Sequence, residues 1–309
     1  MTHMSDPLTV TLVVIAYNQE AFIGDAIRGA LAQTHSPMKI ILSDDRSPDR
    51  TYEIMQQIAA GYDGPHEIVL RQSAENRGVL GHVNEIAALV DTDVVVMAAG
   101  DDVSYPQRVE TIMRVFERDP SVMAVLSDHH VADTPARLDP AGWRAEYVAM
   151  REIMFHGGGI GAGAAYAYRR ECFTWPAPLN ADLFSEDRIL PLRAALLGRV
   201  CKLPHPLLFY RQIEGSVGNR LNTGKTWVVT HKPHEAEIRR ELAVAVAENR
   251  ISARESRAAM FWFRAHGLCA GFMKRRGRPG DMIWRYLGRN ALKLFRTTFV
   301  SRQRQTFRL

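Results

Sequence analysis

The chain has 309 residues, 46% of them hydrophobic, enough to bury the core of one large domain with an appendage or of two modest domains. Its three cysteines, Cys172, Cys201 and Cys269, are odd in number, far apart and free of CxxC pairing, which disfavours a disulfide framework or zinc site and fits a reducing compartment. The net charge of +5 is unevenly spread: residues 225–309 hold 19 Lys and Arg against 6 Asp and Glu, so an acidic body carries a basic tail whose natural partner is an anionic surface.

Met1 to Pro7 is polar, and no stretch approaches the ~20 apolar residues of a membrane span. The expectation is a cytoplasmic protein. Leu8 to Tyr17 (LTVTLVVIAY) reads as a buried strand, and Glu20 to Gln33 follows with Phe22, Ile23, Ile27, Ala30 and Leu31 at helical spacing. Met38 to Leu42 is a second strand ending in Ser43-Asp44-Asp45, and Ser47-Pro48-Asp49 starts a helix with Ile54, Met55 and Ile58 inward. His66 to Leu70 is a third strand, Asn76-Arg77-Gly78 a turn, and Val79 to Val90 a third helix. Val94 to Ala99 is the fourth strand, from which Gly100 turns the chain into Asp101-Asp102, and a further helix begins near Pro106. Val122 to Leu126 is a fifth strand.

This alternation predicts an α/β fold in which a mostly parallel sheet lies between helices with its strand C-termini on one edge. Tyr17, Asn18, Asp44, Asp45, Asn76, Arg77, Asp101 and Asp102 then share a rim, the ligand edge of open α/β sheets. Two adjacent carboxylates repel unless a proton or a cation separates them, and the natural cation is a hard divalent ion holding phosphate oxygens. Simple capping of the following helix is the alternative use of Asp101 or Asp102. The first strand-to-helix turn has no GxGxxG, which argues against a dinucleotide site, and GNRLNTGKT at 218–226 has one residue too many between its glycines for a P-loop.

Asp133 to Phe155 fits neither strand nor helix and reads as a binding loop on the acceptor side. The glycines of His156 to Gly163 suit close approach to a ligand or a hinge, and Ala164 to Arg170 is strand-like. Ser185 reads as a helix cap with Glu186 and Asp187 in the first turn, and Pro191 is expected to kink that helix. Leu207 to Arg211 is a last strand; His129, His130 and His205 match no metal-ligand spacing. In the tail, His234 to Glu248 and Ala253 to Met273 are helical, with Ile238, Leu242 and Val246 on one stripe and Ala258, Phe261, Ala265 and Phe272 on the other. A third helix from Asp281 puts Arg285, Arg289, Lys293 and Arg296 within roughly 80° of arc. Such a basic amphipathic helix lies on anionic membranes or packs on the body or a second copy of the chain, and no nucleic-acid module is present.

The order AYNQEAFI, SDDRSPDRT, ENRG, AAGDDVSYPQR and SEDRILPLRAALLG, spread over roughly residues 8 to 215, resembles the family 2 glycosyltransferases, which have the Rossmann-like GT-A fold. The resemblance implies that Tyr17, Asn18, Asp44 and Asp45, with Asn76, Arg77 and Arg211, bind a nucleotide sugar. It further implies that Asp101 and Asp102 carry Mn²⁺ or Mg²⁺ on the sugar diphosphate, although the first position of the family's DxD is here Ala99. Asp187 is then the general base and Glu186 orients the acceptor. Family members often have a His two residues after this Arg, where this chain has Ile213. The implied activity is inverting transfer from a nucleotide diphosphate sugar, first of all a UDP-sugar, to a glycan or lipid-linked acceptor. The implied place is the cytoplasm or the inner face of the cell membrane. Residues 1–222 form the catalytic domain in this reading, and 223–309 a helical basic region. An inactive nucleotide-binding subunit and a sugar nucleotidyltransferase are the alternatives.

Overall fold

Val- and Ile-rich runs form the centre of the computed structural model, which describes residues 7–131, 144–213, 225–275 and 306–308. In chain order the elements are β1 (Val10–Ala16), α1 (Ile23–Leu31), β2 (Lys39–Asp44), α2 (Thr51–Ala60), β3 (Glu67–Gln72), α3 (Gly78–Ala87) and β4 (Val94–Ala99). They continue with β5 (Val103–Ser104), α4 (Arg108–Arg118), β6 (Val122–His130), β7 (Arg144–Val148), α5 (Met150–Phe155), β8 (Tyr166–Arg169) and α6 (Glu171–Thr174). The last are α7 (Leu190–Leu197), β9 (Arg199–Phe209), α8 (Lys225–Ala247), α9 (Ala253–Arg275) and β10 (Thr306–Arg308).

The described strands make one sheet in the order β10-β7-β9-β6-β8-β4-β1-β2-β3, with β5 on β9. β4, β1, β2 and β3 run parallel, as the alternation of strand and helix requires, so their C-terminal ends meet. Backbone hydrogen bonds join those ends: Asp45 N–H to the Ala16 carbonyl, Gly100 N–H to Ile15 and Ser73 N–H to Asp44, at 2.9, 2.8 and 2.8 Å. β8 enters antiparallel between β4 and β6.

Successive side chains of each strand face opposite cores. Val94, Val96 and Ala98 join Leu12 and Val14 against Ile27 of α1, Met55 of α2 and Phe116 of α4. Val95 and Met97 join Val13 against Leu80 of α3, Ile153 of α5 and Leu190 of α7. Ile238 and Leu242 of α8 and Phe263 of α9 belong to that second core, so the first two tail helices cap the body. Each such side chain contributes about 1.5–3 kcal/mol over leaving it in water.

Several expectations change. Part of the segment from Asp133 to Phe155 is regular: residues 144–148 form β7 and 150–155 form α5. Pro191 sits in the first turn of α7, where its missing N–H costs no helical bond, so there is no kink. β9 starts at Arg199, well before Leu207, and stops at Phe209; its pairing with β6 shifts register between Ser127–Leu203 and Asp128–Pro206, so Pro204 and His205 form a bulge. Ala245, not Val246, completes the buried stripe of α8, and on α9 Ala259, Met260 and Phe263 are buried while Phe261 is 61% exposed. The run Ala258 to Phe263 is wholly apolar, so periodicity alone does not fix which side faces in. Residues 133–143, the segment 218–224 and the helix from Asp281 with its arginines lie outside the described residues.

Candidate active site

Tyr17, at the end of β1, is 48% exposed on the rim. Asn18 turns the chain in the left-handed region at φ 57° and donates its backbone N–H to Ser47 Oγ at 2.8 Å. Asp44, fully buried at the end of β2, accepts the backbone N–H of Ser47 at 2.9 Å, Gln72 Nε2 at 2.8 Å and the Ser47 hydroxyl. Asp45 accepts the backbone N–H of Arg77 at 2.8 Å, and burial raises its carboxyl above the usual range. Asn76 Oδ1 accepts Gly78 N–H at 3.0 Å, closing the turn into α3. The Arg77 guanidinium turns to Glu75 at 2.6 Å and Glu85 at 3.0 Å.

The rim thus gathers the predicted donor-side residues on a preformed polar network. Asp45 also receives its N–H from the turn that carries Asn76.

Gly100 adopts no left-handed angle; its role is close approach, since a Cβ there would lie 2.4 Å from Gln19 Oε1 and 2.8 Å from the Ala16 methyl. Asp101 and Asp102 follow in a turn stapled from below by Arg211. The Arg211 backbone N–H reaches Asp102 Oδ1 at 3.0 Å, and its guanidinium reaches the Asp101 carbonyl at 3.3 Å and Asp25 Oδ2 at 2.5 Å while lying over the Phe22 and Phe209 rings. Arg211 therefore shapes the acidic turn, its charge already opposed by Asp25.

Asp102 is 3% exposed, and burial, then the charge of Asp101, pushes its carboxyl up to about 7. Its Oδ2 is buried with no hydrogen-bond partner. Burial also raises Asp101, against hydrogen bonding from Gln19 and the pull of Arg211. Beneath them lies Arg108, fully buried, bonded to Ser104 Oγ at 2.9 Å and to the carbonyls of Met97 and Ala164 at 2.7 and 2.5 Å.

Glu186 and Asp187 lie in a single 3₁₀ turn, Glu186–Arg188, just before α7. Ser185 has the extended backbone of a cap, but its hydroxyl bonds the Asp187 carboxylate instead of a helix N–H. The glycine run explains how this turn is buried. A Cβ at Gly158 would lie 2.2 Å from the Arg188 carbonyl, one at Gly159 1.9 Å from the Asp187 carbonyl and one at Gly163 2.0 Å from Glu186 Oε1. The close approach is thus to the acid turn itself.

Burial and the neighbouring Asp187 charge raise Glu186, favouring its protonated form. Burial raises Asp187 too, opposed by the Ser185 hydrogen bond and by Arg188 and His234. Tyr210 links the two acid centres: burial and then the charges of Asp102, Asp101 and Asp187 raise its phenol, and its ring lies 5.0 Å from that of His129.

Behind the turn, Arg193 of α7 and Glu241 of α8 form an ion pair at 2.7 Å with both side chains fully buried, and burial pushes Glu241 up to about 7. An acid raised on folding holds its proton more tightly folded than unfolded. The stability tied to it is complete below the unfolded pKa and is lost as pH rises through the folded one. Glu241→Gln is therefore expected to make the calorimetric midpoint fall less, or rise more, than that of the parent protein between about pH 5 and about pH 8. The same pH dependence in both proteins would contradict the raised Glu241 carboxyl.

A family model described as Glycosyl transferase family 2 matches residues 11–175, more than half of the chain. The chain belongs to this family. An uncharacterized Mycobacterium tuberculosis protein is 26% identical over 209 residues, 66% of this chain and 58% of that protein. An uncharacterized glycosyltransferase of Nostoc is 25% identical over 212 residues, 66% of this chain and 65% of its own length. The matches thus span less than two thirds of these curated relatives. Among solved structures, Staphylococcus aureus TarS 1-349 in complex with UDP-GlcNAc superposes at TM-score 0.64 and 14% identity, covering 84% of this chain and 72% of that one. Mannosyltransferase PcManGT from Pyrobaculum calidifontis, in complex with GDP-Man and Mn²⁺, superposes at TM-score 0.59 and 17% identity over 94% and 83%. The family and the GT-A fold are as the motif order implied. Asp25, Arg108, Tyr210 and His234 were not among the residues singled out, because what marks each is a partner distant in sequence.

Proposed function

We propose that the chain is an inverting glycosyltransferase. It moves a hexosyl or N-acetylhexosaminyl group from a nucleotide diphosphate sugar, first of all a UDP-sugar, to a hydroxyl of a glycan or lipid-linked acceptor, with Mn²⁺ or Mg²⁺ held by Asp101 and Asp102. The observation that carries this reading is Asp102 Oδ2, a buried carboxylate oxygen without a hydrogen-bond partner beside a second carboxylate on the ligand edge of the sheet. Leaving such an atom unsatisfied is costly, and a hard cation satisfies it. Among the described residues no three His, Cys, Asp or Glu gather to hold a metal, which suits an ion that takes its remaining ligands from phosphate oxygens and water.

The bound cation supplies neutralisation of charge on the leaving diphosphate. Tyr17, Asn18, Asp44 and Asp45 hold the base and ribose, aided by the turn of Asn76 and Arg77, and Arg211 fixes the acidic turn. Asp187 takes the proton of the acceptor hydroxyl as that oxygen attacks the anomeric carbon opposite the diphosphate, and neutral Glu186 orients the acceptor. Displacement from the opposite face inverts the anomeric centre. The exposed Phe261 on α9, with the basic run Lys274-Arg275-Arg276 starting thirteen residues further on, supports a peripheral place on an anionic membrane carrying the acceptor. No helix among the described residues is long and apolar enough to cross a membrane.

Thermal unfolding against UDP, dTDP, GDP and CMP, each with and without Mn²⁺, tests the reading. One nucleotide at about a hundred times its Kd should add ~2.7 kcal/mol, several degrees in midpoint, only when Mn²⁺ is present. Asp102→Asn should remove the metal-dependent part. Stabilisation by none of the four would count against the nucleotide-sugar reading, whereas stabilisation without any turnover would favour the inactive-subunit alternative.

A further inference from the structure

Two polar side chains of α8 are buried against the segment that carries the acid turn. His234, 1% exposed, places Nε2 3.5 Å from the carbonyl oxygen of Ser185, the residue just before Glu186 and Asp187. Seven residues on, two turns along the same face, Glu241 holds Arg193 Nε at 2.7 Å on the helix that follows the acids. α8 therefore grips the base-bearing segment on both sides. The apolar stripe Ile238, Leu242 and Ala245 lies along that face and is by itself enough to seat a helix. A histidine at this depth instead brings a polar group whose burial costs free energy unless it is bonded.

We propose that His234 is a positioning residue for sugar transfer, supplied to the acid turn by the C-terminal helical region, so that the catalytic centre spans both parts of the chain. The inference rests on the assignment of Asp187 as base. His234 acts through its contact with the Ser185 carbonyl, which fixes the backbone of the turn, and, when its ring is protonated, through a charge that favours the Asp187 carboxylate. The other groups facing that carboxylate are the Ser185 hydroxyl and Arg188, which also favour the ionised form, with Glu186 and the phenols of Tyr166, Tyr168 and Tyr210.

The test uses the full chain with ¹³C-labelled aspartate carboxyls, the Asp187 signal being identified by its loss in Asp187→Asn. In His234→Gln the amide can still reach the Ser185 carbonyl but carries no charge, and the Asp187 titration should move to higher pH. In parallel, release of nucleoside diphosphate from UDP-GlcNAc and GDP-mannose with Mn²⁺ should show kcat lowered by up to about 100-fold with the donor KM unchanged. Ile238→Ala, which loosens the same helix without touching the acid turn, should lower the thermal midpoint and leave the titration in place. An Asp187 titration in His234→Gln identical to that of the parent protein overturns the proposal and leaves the base assignment standing. Undiminished turnover by Asp187→Asn overturns both.

Discussion

Replacing Asp187 by asparagine is expected to lower sugar transfer by about 10²- to 10⁴-fold while nucleotide binding stays as it was. An alcohol is a weak nucleophile at neutral pH, and a carboxylate set beside it removes its proton as the new bond forms. Asparagine keeps the volume of the side chain and an oxygen to accept the Ser185 hydroxyl, so the turn should fold as before, but it takes no proton. Glu186 is the poorer base, because burial and the neighbouring charge favour its protonated form. Donor affinity is the control, since the residues proposed to hold the donor sit at the ends of β1, β2 and β4 and not on this turn. Calorimetric titration with UDP or GDP and Mn²⁺ reads binding, and diphosphate release reads turnover. Equal turnover by the variant would falsify the assignment; loss of binding together with turnover would reduce Asp187 to a structural role.

The second large effect concerns stability. Glu241→Ala should cost about 3–5 kcal/mol, read from the denaturant midpoint, because it leaves the fully buried Arg193 guanidinium with only the carbonyls of Cys172 and Phe173 at 3.3 Å. The double replacement Arg193→Met with Glu241→Leu should recover most of that loss, since both charges and their desolvation leave together. A loss below about 1 kcal/mol in the single variant would mean that water reaches the pair.

Much of this molecule can be read from its residues because the first half obeys one rule. Apolar runs ending in Tyr17-Asn18, Asp44-Asp45 and Asp101-Asp102 alternate with helical spacing, and parallel strands deliver those endings to a common edge. The rule fades where local signals are too short or too uniform. β5 has two residues, Pro204 and Pro206 interrupt β9, and the wholly apolar Ala258 to Phe263 fits α9 in any rotation. Long-range pairs leave no local trace either: Asp25 meets Arg211 across 186 positions, and His234 meets Ser185 across 49. The fate of Asp102 is the same kind of fact, for two adjacent aspartates look alike until one oxygen is found enclosed.

β10 gives the basic tail its mechanical character. Thr306–Arg308 pair antiparallel with Glu146, Ala145 and Arg144 of β7, while α9 packs against the body at the other end of the basic segment. The described residues on either side, α9 and β10, are thus both held by the body. Cutting the chain after Arg275 would strip β10 from β7 and leave β7 as a bare edge strand, so a shortened protein would tend to stick to its own copies.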